Sequence, residues 1–217
     1  MKQKAATKRY NRNRIGLGLT PYQDAAHAIG KVSKGMSMFG FTKGQFSLLD
    51  IIEHITEQIR NCEVQAITWN IGIADCEQIG TMLDMGYIRS FQLITDYAVI
   101  KMKSENLAAY IALLGQENVF LTKIHAKVVL LKSKDYHVVI RSSMNLNKNG
   151  KCEQFDIDEN QELYDFVKSA IEDLKSPIKV DKRTGSTGAS AIKAREQYAI
   201  AWGDNVTSIN DGDGFLA

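Results

Sequence analysis

Apolar positions along the chain fall into runs of two periods, and the alternation between them predicts the architecture. From Ser47 to Arg60, Leu48, Ile51, Ile52, Ile55 and Ile59 recur at helical spacing, and Ser47 with Asp50 gives a capping-box start. Residues 63–70 then read as a strand, 74–85 as a helix stopped by Gly86, and 87–95 as a second strand. The apolar stretch from Tyr97 to Met102 reads as a third strand. Ser104 to Leu114 reads as a helix capped by Ser104 and closed by Gly115, with residues 118–122 returning as a strand. Two β-type runs follow, Ile124 to Leu131 and Val138 to Leu146, joined by a hairpin through Lys132 to Tyr136. An amphipathic helix over 158–174 closes the pattern, with Leu163, Phe166, Val167, Ala170, Ile171 and Leu174 on one face. The glycine-rich stretch from 15 to 44 is read as mostly irregular, with a short helix over Ala25 to Ile29. Strands alternating with helices imply an α/β fold, a mixed β-sheet flanked by helices.

The 217 residues, 44% of them apolar, suffice for one domain with tails. Charge distribution sets the boundaries, although the net charge is only +2. Lys2, Lys4, Lys8, Arg9, Arg12 and Arg14 crowd a stretch without acids, so residues 1–20 are expected to be a basic, flexible arm. The domain is placed at residues 21–176. Beyond Pro177, Lys, Gly, Ser and Thr dominate, so 177–217 is expected to be a flexible linker and tail, with a short helix near 189–198. No apolar run approaches the ~20 residues of a membrane span, and no apolar stretch follows the basic start. Cys62, Cys76 and Cys152 lack metal-type or CxxC spacing. A cytoplasmic chain is expected. Gly16-x-Gly18 follows no predicted strand and is not a phosphate-binding loop.

Candidate chemistry concentrates in the pair of β-type runs. Strand side chains alternate, so His125 and Lys127 are expected on one face, as are Ser143 and Asn145. The hairpin brings both pairs together, and Glu153 follows downstream. An imidazole, a cation, a hydroxyl, an amide and a carboxylate would converge, which suits phosphoryl transfer.

His125-Ala126-Lys127, then Ser143-Met144-Asn145, then Glu153 resembles the active-site motif of the phospholipase D-like superfamily: HxK, an apolar strand, (G/S)SxN and a downstream acid. Lys132 stands where the family often carries Asp, and Ser142 where Gly usually precedes the motif serine. The resemblance implies a phospholipase D-like domain. It implies that His125 attacks phosphorus to form a phosphohistidine, and that a second histidine handles the leaving oxygen and then water. Lys127 and Asn145 would hold the non-bridging oxygens, Ser143 would bond the phosphate, and Glu153 would support an imidazole. The scheme calls for no metal and no cofactor.

Of the four histidines, His27, His54, His125 and His137, only His125 lies in an HxK. One chain therefore supplies half a site, and by resemblance to single-motif family members a homodimer with a shared active site is expected. Arg141, Lys148 and Lys151 flank the motif and are expected to bind substrate phosphates. With the basic arm, they favour a non-specific DNA or RNA endonuclease, DNA ahead of RNA. Two readings stand beside it: a weak or inactive module that binds nucleic acid, favoured by Lys132 and Ser142, and a lipid phosphodiesterase.

Overall fold

The structure is a computed structural model that describes residues 24–175 and, at the backbone, the flanking strands β1 (Ala6–Asn11) and β2 (Arg14–Leu19). The tail expected over 177–217, with its short helix, lies outside the described residues. In chain order the further elements are α1 (Ala25–Ile29), β3 (Ser37–Lys43), α2 (Leu48–Ile59), β4 (Cys62–Thr68), α3 (Ile73–Asp84) and β5 (Ile88–Asp96). They continue as α4 (Ala98–Met102), α5 (Ser104–Leu114), a 3-10 turn (Gln116–Asn118), β6 (Val119–Thr122), β7 (Val128–Lys132), β8 (His137–Ser142), β9 (Cys152–Glu159) and α6 (Gln161–Lys175). The strands form one mixed sheet in the order β2-β1-β3-β9-β8-β7-β4-β5-β6. Only β4, β5 and β6 run parallel to one another; every other pairing is antiparallel.

Helices cover both faces. Against one face, α2, α3 and α5 close the main core over Val64, Phe91, Val129, Leu131, Val138, Ile140, Phe155 and Ile157. Against the other, α6 lays Tyr164 and Ile171 on Ile67, Ile94, Leu130 and Val139. Both faces of the central strands are thus buried, which is why Val128–Lys132 and Val138–Ile140 read as continuous apolar runs rather than alternating ones. The capping box of α2 forms as its sequence predicts: Asp50 N–H donates to Ser47 Oγ (3.1 Å) and Ser47 N–H to Asp50 Oδ2 (2.7 Å). No helix among the described residues is long and apolar enough to cross a membrane.

Several expectations need correction. Residues 97–102 are not a strand. Asp96 Oδ1 accepts from Ala98 N–H (2.8 Å), and Lys103 N–H bonds the Val99 carbonyl (2.8 Å), so the apolar run closes as α4. Beyond the N-terminal hairpin, two strands escaped the pattern. β3 lies in the supposedly irregular glycine-rich region, and β9 precedes the last helix, which starts at Gln161 after the Asn160 side chain accepts from Leu163 N–H (2.9 Å). Phe166, expected on the buried face of that helix, is 72% exposed. Within the stretch expected to be a basic, flexible arm, β1 pairs with β2 and with β3.

Candidate active site

The carboxyl ends of the parallel strands β4, β5 and β6 open on one edge of the sheet, the usual place for a ligand in an α/β fold. Antiparallel pairing brings the start of β7, the end of β8 and the start of β9 to the same edge, with Val128 opposite both Ile67 and Arg141 and Ser142 opposite Phe155. That topology gathers residues distant in sequence.

His125 and Lys127 do not sit on a strand, as the pattern predicted; they lie in the segment leading into β7. Its backbone is nonetheless fixed. Ile124 N–H donates to Asp96 Oδ2 (2.9 Å), and Ser142 N–H donates to the Lys127 carbonyl (3.0 Å), prolonging the β7–β8 ladder by one bond. Lys127 Nζ folds back on the histidine, 2.8 Å from the His125 carbonyl and 3.2 and 3.3 Å from Nδ1 and Nε2 of the ring. Partial burial pushes the Lys127 ammonium below the usual lysine value, and the nearby Glu153 carboxylate opposes that shift. The cation therefore sits partly shielded from water, with the Glu153 carboxylate near enough to act on it electrostatically.

Glu153 is held by neighbours on the β8–β9 loop. Its Oε2 accepts a short bond from Ser143 Oγ, and its Oε1 accepts from Asn149 Nδ2 (3.0 Å). Ser143 Oγ in turn accepts from Gln154 N–H (3.0 Å), and the Ser143 N–H donates to the Gln154 carbonyl (3.1 Å). The Ser142 hydroxyl braces the same turn, donating to the Gln154 carbonyl (2.8 Å) and accepting from Met144 N–H (2.9 Å). Asn145 is anchored to β4, its Oδ1 accepting from Thr68 Oγ1 (3.4 Å), while Leu146 N–H donates to the same hydroxyl (3.3 Å). At the far side of the loop, Gly44 has φ +82°, and a Cβ there would stand 2.7 Å from Gly150 Cα. Only glycine allows the end of β3 to approach the loop so closely.

The predicted set thus divides. His125 meets Lys127; Glu153, expected to support an imidazole, instead bonds Ser143 and Asn149 and acts electrostatically on Lys127, and Asn145, expected beside Ser143, bonds Thr68. Lys148 and Lys151 are exposed on the loop at the same edge. Arg141 is elsewhere. By strand alternation it faces the α6 side, where it pairs with Asp158 (2.5 Å) and Asp156 (3.9 Å). Lys132 closes β7 at the opposite edge, across the ladder from Glu63 and His137, and does not reach the site.

Sequence reasoning missed Asp96, which fixes the backbone beside His125, and Trp69, whose ring lies 5.8 Å from the imidazole centroid at a tilt of 51°. An Asp that ends a strand and a Trp that follows one carry no motif, so only the topology exposes them. It also missed Lys43 and Lys123, exposed on this edge and, with Lys148 and Lys151, without an ion pair among the described residues. Among the described residues no group of three or more His, Cys, Asp or Glu side chains is placed to hold a metal ion. A separate cleft of about 360 Å³ beside α1 and α2 is lined by Asp24, Asp50, Glu53, His54 and Glu57, whose carboxylates disfavour an anion.

The fold and its edge site describe an α/β protein with a lysine-rich, histidine-bearing sheet edge. No protein-family model matches the chain, and no curated protein matches it. Among solved structures it is similar to a phospholipase D family member, Nuc, from Salmonella typhimurium, at 15% identity and TM-score 0.47 over 64% of this chain and 92% of that one. It is also similar to polyphosphate kinase from Porphyromonas gingivalis (10% identity, TM-score 0.48), over 76% of this chain and 31% of the kinase. A third similarity is to TrmBL2, an archaeal chromatin protein described with a novel mode of DNA binding (13% identity, TM-score 0.42), over 66% of this chain and 52% of that one.

Proposed function

We propose that the chain is a metal-independent phosphodiesterase of the phospholipase D-like type, acting on nucleic acid as a homodimer through a covalent phosphohistidine. The observation that carries this reading is the approach of Lys127 Nζ to both ring nitrogens of His125, beside a carboxylate tied to Ser143. In the proposed reaction a His125 nitrogen attacks phosphorus in line with the leaving oxygen, and the P–O bond breaks as the N–P bond forms. The leaving oxygen takes a proton from a second imidazole, which then removes a proton from the water that hydrolyses the phosphohistidine. Lys127 stabilises the negative charge that grows on the non-bridging oxygens, and Asn145 offers its amide to the same oxygens.

The second imidazole is the partner's copy of His125. His27, His54 and His137 are engaged elsewhere, with Asp24, with Gly30 and Gln58, and against the Tyr164 ring respectively. A two-fold axis beside the exposed His125 would bring both copies to one phosphate. The rim of Lys43, Lys123, Lys148 and Lys151 favours a polyanionic substrate over a single diester in a lipid headgroup.

Supercoiled plasmid and a single-stranded oligonucleotide, each incubated with the protein in EDTA, test the reading. Wild type is expected to cleave and His125→Ala to lose at least about 100-fold in rate. Binding without cleavage by wild type would instead support a non-catalytic nucleic-acid module, and hydrolysis of phosphatidylcholine alone would support a lipid enzyme.

A further inference from the structure

Trp69 follows β4 directly and stands at the mouth of the site. Its indole is only partly buried, and among the described residues it packs against neither apolar cluster of the domain. It makes no hydrogen bond among the described residues, and its one ring contact there is His125. A tryptophan placed this way, half-buried and outside both apolar clusters, leaves part of its ring open to a ligand beside His125. The backbone on either side is nevertheless fixed. Thr68 is fully buried, with its hydroxyl on the Asn70 carbonyl (2.9 Å), and Ile71 N–H donates to Asn70 Oδ1 (3.0 Å). The ring is thus a half-buried aromatic surface on a fixed backbone, against the His125 imidazole and on an edge whose lysines, among the described residues, form no ion pair.

We propose that Trp69 is the specificity-determining residue of this site, a platform on which a nucleobase next to the reacting phosphate stacks. The proposal rests on the phosphodiesterase reading above and names the substrate that reading leaves open. Every base has a π-face, so such a platform tolerates any sequence. A base reaches it only after leaving a duplex stack, so the preferred substrate is single-stranded nucleic acid, or strands that are frayed or looped.

The test uses the full chain with Trp69→Ala and Trp69→Phe. Two substrates are compared, a normal single-stranded oligonucleotide and a strand of the same length built wholly of abasic residues. Stacking of one base on an aromatic ring predicts that Trp69→Ala raises KM for the normal strand about tenfold. On the abasic strand it leaves kcat/KM within about twofold, and Trp69→Phe keeps most of the discrimination. Equal losses on both strands, or no loss on either, would overturn the proposal; the first would mean that the ring only orients His125.

A second measurement separates this proposal from the reading it rests on. With Trp202→Phe, Trp69 is the chain's sole tryptophan. Its fluorescence is expected to be quenched on titration with the normal strand and unchanged with the abasic one. Quenching by a protein that cleaves neither strand supports the platform while refuting the phosphodiesterase. Cleavage without selective quenching refutes the platform alone.

Discussion

Lys127 carries a cost that its chemistry explains. Burial lowers its folded-state pKa, so the charged form destabilises the fold at every pH below that value, and the cost vanishes only above the unfolded value. At neutral pH, Lys127→Met is therefore expected to keep the melting temperature at or above wild type while lowering the cleavage rate about 100-fold or more. Thermal melts and initial rates on the same preparation check it. Asp75 is the second such residue. Burial raises its carboxyl above the ordinary value of 3.8, the Gly72 backbone N–H opposing and Asp50 adding to the shift. Its Oδ2, like Tyr110 Oη and Asn147 Oδ1, has no hydrogen-bond partner among the described residues. A raised carboxyl contributes stability that is full below 3.8 and is lost as pH rises through the folded value. Asp75→Asn is thus expected to stabilise the fold at neutral pH, with the gain shrinking in acid; denaturant titrations at the two pH values read it. At this scale the sequence was most legible where residue types make an ordered motif: His125, Lys127, Ser143 and Glu153. Trp69 and Asp96 were illegible because their meaning comes from β4 and β5 ending beside the segment that holds His125.

The elements show why motif and position are different kinds of information. The helix over Leu48–Ile59 could be read directly, because its stripe and its cap agree. The 97–102 run could not, since such an apolar stretch suits either state and the bond from Ala98 N–H to the Asp96 side chain favours the helix. β3 was hidden by the glycine at its centre, Gly40, and β9 by its acids, Glu153, Asp156 and Asp158, although both strands alternate buried and less buried positions. Missing β9 obscured how Glu153 reaches Ser143, and it made Arg141 look available when strand pairing sets it against Asp156 and Asp158. Gly44 lies so close to Gly150 that a Cβ at 44 would stand 2.7 Å from the Gly150 Cα. Gly44→Ala, at φ +82°, is expected to cost roughly 1–2 kcal/mol and to displace the loop that orients Glu153. A Cβ on Gly150 meets nothing within 4 Å, so Gly150→Ala is expected to stay within about 0.5 kcal/mol of wild type. Equal effects of the two substitutions on stability and rate would contradict the account of the loop.

At the scale of the molecule, burial separates the cysteines. Desolvation pushes the Cys62 thiol up to about 12 and that of Cys76 up to about 11, whereas Cys152 is exposed. A native titration with a thiol reagent is expected to modify Cys152 alone, and all three cysteines only after denaturation. Reaction of two or three in the folded protein would contradict the packing around β4 and α3. The sheet places one imidazole, one ammonium and one carboxylate at an open edge and supplies no second histidine there, so the central claim is that two copies of His125 share one phosphate. Wild type and His125→Ala can be unfolded together in equal amounts, refolded, and assayed on a single-stranded oligonucleotide in EDTA. If each site needs both copies, only wild-type homodimers act, and activity falls to about one quarter of that of the same total wild-type chain. Activity near one half, with wild type running as a monomer by mass, would contradict it.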